Sequence, residues 1–227
     1  MKKLSVKDLV DFKRRSDRSK KTFVQNMKLD KKKVTTEGGG DYWISSLSAV
    51  WSSYRKDDLT VIDEKIEEVK GKLKETTFTI TKNMYKQNIA ILERYKNMDL
   101  KKWRPKDDQT FLKKSSSNPT LIIKGLEIET KPSCIYTFGA QDVKSIGAMW
   151  FTAKVRGYSL EEVAMFCEML YRFLKQNYSK KYQIVSKYCI AVDMISGNWV
   201  DYGGIEQGKL PAALTPTINE INKLIKS

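Results

Sequence analysis

A chain of 227 residues with 41% hydrophobic and 11% aromatic side chains holds enough apolar material for a real core, which excludes a wholly disordered protein. Its 42 Lys and Arg against 27 Asp and Glu leave a net charge of +15, so its favoured partners are polyanions, nucleic acid first and an anionic membrane surface second. It has 0 histidines, which removes His-based triads, His metal ligands and His general bases and leaves carboxylates, Lys, Ser, Thr and Tyr for any chemistry.

Residues 1–33 hold 13 Lys and Arg against 4 Asp, a net +9 of that total. Lys7, Asp8 and Asp11 interrupt any apolar run after Met1-Lys2-Lys3, so no signal peptide is expected. Ser5 is placed to cap a short helix with Leu9, Val10 and Phe12 as its apolar residues. The run Lys13-Arg14-Arg15-Ser16-Asp17-Arg18-Ser19-Lys20-Lys21 leads to Phe23, and Lys31-Lys32-Lys33 leads to Gly38-Gly39-Gly40. Those glycines read as a break or a turn, because the Lys-Ser/Thr of a phosphate loop is missing.

Asp41 reads as the N-cap of an aromatic-rich helix to about residue 55, carrying Tyr42, Trp43, Leu47, Val50, Trp51 and Tyr54. Ile62, Ile66, Val69 and Leu73 form one stripe of a helix over 60–74, and Met84, Ile91, Leu92 and Tyr95 one over 82–98. Residues 99–118, with Lys101-Lys102-Trp103-Arg104-Pro105 and Lys113-Lys114-Ser115-Ser116-Ser117-Asn118, have the composition of a boundary. The expected organisation is a basic N-terminal segment over 1–40, a helical subdomain over 41–114 and an α/β core over 119–227.

From Thr120 the period changes to that of strands, over 121–129, 134–138 and 146–155. Ser159-Leu160-Glu161-Glu162 is a capping box, and the helix it opens puts Val163, Ala164, Cys167, Leu170, Tyr171 and Leu174 on one face. A buried strand over 183–194, a turn at Ser196-Gly197-Asn198-Trp199 and a helix over 217–225 close the chain. The fold class is α/β (α+β), a helical N-terminal half followed by a mixed sheet with flanking helices.

Cys134, Cys167 and Cys189 sit in apolar runs without metal-ligand spacing, so each is expected as a small buried residue. An odd count without a disulfide framework points to a reducing compartment, hence the cytoplasm. No apolar run approaches the about 18 residues of a membrane span, so no membrane is expected as a partner.

The order helix, three strands, helix, strand in the second half resembles the core of the PD-(D/E)XK nuclease-like superfamily. Gly125-Leu126-Glu127-Ile128-Glu129-Thr130-Lys131-Pro132-Ser133, a polar loop and then Ile146-Gly147-Ala148-Met149-Trp150 also resemble a set of uncharacterised bacterial proteins associated with phage-defence gene clusters. The nuclease resemblance implies a carboxylate on the second strand and a Glu/Asp-x-Lys on the third, holding divalent cations that activate water. Carried over, these fall at Ser133 and at Ala148-Met149-Trp150, which supply neither acid nor base, so the implied core is degenerate. Lys154 keeps the strand parity of Trp150 as a displaced lysine.

A shifted site is the alternative. Glu127, Glu129 and Lys131 share one strand face, with Asp107, Asp108 and Asp142 as further acids, and Mg²⁺ would be its cofactor. An ordinary polar sheet face explains the same alternation. For nucleic acid, the candidate residues are Arg14, Arg15, Arg18, Lys20 and Lys21 near Phe23, and Lys101, Lys102 and Arg104 around Trp103, since phosphates pair with cations and bases stack on aromatic faces. Lys154 and Arg156, before Gly157 and a helix start, form a further phosphate candidate that Glu161 and Glu162 oppose. The expected function is a DNA- or RNA-binding recognition or accessory component in defence against foreign DNA, without nuclease activity. A metal-dependent nuclease and a subunit that binds an acidic protein partner are the alternatives.

Overall fold

The computed structural model describes residues 2–28, 42–112, 118–139 and 144–226. Lys31-Lys32-Lys33, Gly38-Gly39-Gly40, the Asp41 cap, Lys113-Lys114 with the serines that follow, and Asp142 lie outside the described residues.

Strand β1 (Leu4–Ser5) leads into helices α1 (Val6–Lys13) and α2 (Asp17–Lys28), followed by α3 (Ile44–Lys56), α4 (Thr60–Glu75) and α5 (Thr79–Lys96). A 3-10 turn, Leu100–Trp103, connects these to β2 (Thr110–Phe111), β3 (Thr120–Ile123), β4 (Leu126–Glu129), β5 (Cys134–Phe138) and β6 (Ser145–Thr152). Then come α6 (Leu160–Tyr178), β7 (Gln183–Asp193), β8 (Trp199–Asp201), α7 (Tyr202–Glu206) and α8 (Leu214–Lys226). The fold is mixed α/β with a helical N-terminal half, as the change of hydrophobic period predicts.

The main sheet runs β2-β5-β6-β7-β8. β6 and β7 are parallel and joined by α6, while the other neighbours are antiparallel. Strand side chains alternate between faces. Ile135, Ile146, Ala148, Trp150 and Ala191 pack into one core with α6, and Tyr136, Met149, Phe151, Ile190 and Val192 into another with α3, α4 and α5. Cover on both faces explains the unbroken apolar run of β6, buried from Ile146 to Thr152.

A second sheet, β1-β4-β3, closes the α6 side, with β1 parallel to β4. Residues 2–28, expected as a separate basic segment, are built into that core. Leu4, Val6, Leu9, Val10, Phe12, Val24 and Met27 are buried there with α6 and α8. Both predicted caps form as full capping boxes: Ser5 with Asp8, and Ser159 with Glu162. Each satisfies two helix-end N–H groups that otherwise lack partners.

Four local expectations change. The single strand over 121–129 is a hairpin, because Lys124 (φ 49°) and Gly125 (φ 83°) form a two-residue turn that pairs Ile123 with Leu126. The strand expected to reach Val155 stops at Thr152, since Arg156 (φ 71°) and Gly157 (φ 68°) enter the left-handed region and bend the chain. Trp199, expected in a turn, opens edge strand β8. The segment with a boundary's composition contributes buried Leu100 and Trp103 to the core and β2 to the main sheet.

Candidate nucleic-acid interface

The basic run around α1 and α2 divides by what each cation touches. Arg14 donates from Nε and Nη2 to the two carboxylate oxygens of Glu162, each at 2.5 Å, and from Nη2 to the Gly157 carbonyl at 3.1 Å. Its guanidinium also lies 5.7 Å from the Tyr158 ring centroid. Burial acts to raise the Glu162 carboxyl, but the bonds from Arg14 and the Ser159 N–H outweigh it and hold the group below the usual carboxylate range. The same bond to Glu162 raises the Arg14 guanidinium. Arg14, expected to meet phosphate, therefore fastens α1 to the start of α6.

Lys20 is similarly engaged, donating to Glu220 of α8 at 2.7 Å and lying over the Phe12 ring. Arg15 bonds the Ser19 hydroxyl at 3.2 Å and lies over Phe23, leaving most of its donors outward. Arg18 and Lys21 are exposed and form no ion pair among the described residues. Lys28 caps the Ile225 carbonyl at 3.0 Å, which brings the end of α2 beside exposed Lys223 and Lys226 at the end of α8. The structure thus presents Arg15 in the turn before α2, Arg18, Lys21 and Lys28 on α2, and Lys223 and Lys226 on α8, all exposed.

The second basic cluster differs more from expectation. Trp103 is 1% exposed and packs against Tyr95 and Phe151, so no base can stack on it. Arg104 donates to the Tyr54 carbonyl, sits over the Tyr54 ring and is 3.8 Å from Asp57, which Lys101 also approaches at 3.7 Å. The open aromatic face belongs instead to Trp199, 39% exposed and 6.3 Å from Trp103, with the Lys102 ammonium over both indoles. Trp199 stands almost a hundred residues from Lys102 in sequence, so only the fold brings them together.

A third feature lies at the carboxyl ends of parallel β6 and β7, where open α/β sheets commonly hold ligands. Asp193, 0% exposed at the end of β7, accepts from the Tyr158 N–H (2.8 Å), Ser196 N–H (3.1 Å), Ser196 hydroxyl (2.6 Å) and Ile195 N–H (3.2 Å). One carboxylate therefore fastens both connections at this end of the sheet. A Cβ at Gly157 would stand 2.7 Å from Asp193 Oδ2, so the left-handed turn there requires glycine. Lys154 pairs with Asp11 of α1 and lies over Tyr158, whose phenol burial pushes up to about 12. Arg94 of α5 donates to the Ile195 carbonyl. Arg156 is exposed, and between these two arginines opens a pocket of about 260 Å³. The sequence offered one pointer to this place, Arg156-Gly157 before a capping box; Asp193, Arg94 and Trp199 carried no local signal.

The positions implied for a nuclease are filled by core. Ala148 and Met149 are 0% exposed and Trp150 9%, while the Ser133 hydroxyl accepts the Phe151 N–H at 2.9 Å. On β4, Leu126 and Ile128 face inward, Glu127 is exposed and Glu129 pairs with Lys131 at 2.8 Å. Asp107 and Asp108 lie exposed in the segment before β2. Among the described residues no group of three or more Asp, Glu or Cys side chains converges to hold a metal. No helix among them is long and apolar enough to cross a membrane.

Comparison with family models, with curated proteins and with solved structures finds no match.

Proposed function

We propose that this protein binds nucleic acid as a recognition or accessory component on a nuclease-like core that does not itself cut. The carrying observation is the surface of α2, the turn before it and the end of α8, where Arg15, Arg18, Lys21, Lys28, Lys223 and Lys226 meet solvent with no carboxylate paired to any of them among the described residues. Such an array attracts a polyanion and releases its counterions. The likeness to a nuclease core rests on the antiparallel pair β5-β6 and the parallel crossover through α6 to β7; residues 121–129, expected as the first strand of that core, lie in the second sheet, and the short β2 takes the place beside β5. Uncharged Ser133 and Ala148 support the absence of cleavage. The resemblance to phage-defence proteins gives the working context, defence against foreign DNA, and three buried cysteines suit the reducing cytoplasm.

Electrophoretic mobility shifts over a salt series test the proposal. Duplex or single-stranded nucleic acid should be retained at low salt, with log affinity falling linearly as log salt rises. No retention of either would overturn it. A protein partner is the second reading, favoured by Phe78 and Ile80, 75% and 80% exposed where α4 turns into α5. Co-purification of a protein that is lost in Phe78→Ser would support it.

A further inference from the structure

We infer that the pocket at the carboxyl ends of β6 and β7 binds a nucleoside phosphate, the base against its apolar floor and the phosphate between Arg94 and Arg156. The inference rests on the proposed function only for its ligand class; the pocket is separate from the face of α2 and is tested separately.

The first argument is charge. Arg94 from α5 and Arg156 from the β6–α6 connection line one hollow, and none of its lining residues is acidic. Two arginines lining one small hollow favour an anion there, and their planar forks suit phosphate oxygens. Arg94 uses one donor on the Ile195 carbonyl and keeps the rest. Arg156 forms no ion pair among the described residues.

The second argument is the floor. Trp43, Ile91 and Ile195 supply apolar surface of the kind that covers a base, and Trp43 is 6% exposed. Beside them the Gln87 Oε1 is buried with no hydrogen-bond partner. A buried acceptor left unpaired is costly, and a small turn of the Gln87 side chain toward the pocket would let the exocyclic amine or ring N–H of a base satisfy it. Acceptor, apolar floor and paired cations together match a base and its phosphate better than an inorganic anion, which would leave Gln87 unmet. About 260 Å³ is a little below the 300–1,000 Å³ common for ligand pockets and suits one nucleotide unit.

The third argument is rigidity. Arg156 is held at φ 71°, a conformation that non-glycine residues seldom adopt and that persists only when its surroundings enforce it. Asp193 enforces it by binding the Tyr158 N–H on one side of the pocket and the Ile195 and Ser196 N–H groups on the other. The two walls are therefore set before any ligand arrives, which lowers the ordering cost of binding.

The unit could be a free mononucleotide or the 5′-phosphorylated end of a strand, and calorimetric titration of the full chain separates them. The probes are nucleoside 5′-monophosphates, inorganic phosphate, and one short single-stranded oligonucleotide with and without a 5′-phosphate. Monophosphates should bind more tightly than phosphate alone, and Arg156→Ala and Gln87→Leu should each weaken them by about ten- to hundredfold. Arg156 is exposed, so its variant keeps the fold, as circular dichroism would confirm, and Arg156→Lys should restore part of the affinity. Binding of the phosphorylated oligonucleotide alone, still dependent on Arg156, would assign the pocket to strand ends. Arg18→Ala with Lys21→Ala should leave mononucleotide affinity unchanged while weakening long nucleic acid, so failure on one face does not read as failure on the other. If no probe binds at millimolar concentration, or binding is indifferent to both Arg156→Ala and Gln87→Leu, the inference is wrong.

Discussion

Arg14 and Glu162, 148 residues apart in the chain, meet through two parallel N–H to oxygen bonds at the point where α1 reaches the start of α6. Glu162 also accepts the Ser159 N–H at 2.9 Å, so one carboxylate serves as a helix cap and as an anchor for the N-terminal segment. A charge that composition alone would assign to a polyanion is thereby used within the fold.

Arg14→Ala should lower stability by about 1–2 kcal/mol, less than the 3–5 of a fully buried pair, because the Arg14 side chain is 38% exposed and partly screened. Chemical denaturation measures this. Glu162 is held below its ordinary 4.5, so the pair's contribution is complete above about that pH and is lost as the pH falls through the lower folded value. Glu162→Gln should flatten the acid limb of the stability curve there; an unchanged limb would show that other carboxylates control it.

Arg15→Ala, Arg18→Ala and Lys21→Ala combined should make the slope of log affinity against log salt shallower by about two to three units, if each cation meets one phosphate. Arg14→Ala should leave that slope as it is. Equal effects from the single and the triple variant would mean that binding runs over a different surface.

Cys134, Cys167 and Cys189 are at most 3% exposed, and burial pushes the thiols of Cys167 and Cys189 up. Since the thiolate is the reactive form, all three should label slowly with a thiol reagent until the chain is denatured. Rapid native labelling at any one would reveal an opening of the sheet at that strand or helix.

With Mg²⁺ or Mn²⁺ added, no cleavage of nucleic acid above background is expected, because Ser133 and Ala148 place no carboxylate where a nuclease core needs one and Glu129 is taken up by Lys131. Glu129→Gln should bind as the parent chain does. Metal-dependent cleavage that disappears in Glu129→Gln with the fold intact would instead make this an enzyme.

Periodicity made much of the fold legible. The stripes of α3, α4 and α5, the buried strands β5, β6 and β7, the Ser5 cap and the Ser159 capping box follow from side-chain spacing, which is local. Helix α2 was harder to read, because Arg18, Ser19, Lys20 and Lys21 dilute the apolar signal of Val24 and Met27. The Lys124-Gly125 turn is hard to read because apolar residues stand on both sides of it, and only positive φ at both positions reverses the chain. The site was the least legible part. Whether Arg14 meets phosphate or Glu162, and whether Trp103 or Trp199 faces solvent, depends on partners distant in sequence. A residue's type shows what it is able to bind; its neighbours in space decide what remains free to do so.

The partners of α1 and α2 lie in α6 and α8, at the other end of the chain. During synthesis the basic segment therefore emerges first and waits for its cover. At about 5–20 residues per second, the stretch from Lys28 to Leu214 takes about 10–40 s to make. For that interval Leu9, Phe12, Val24 and Met27 are uncovered beside a dense positive charge, inside a cell rich in RNA. That positive charge would then help keep the nascent apolar residues apart from one another, and the closing of α8 over α2 ends that exposure.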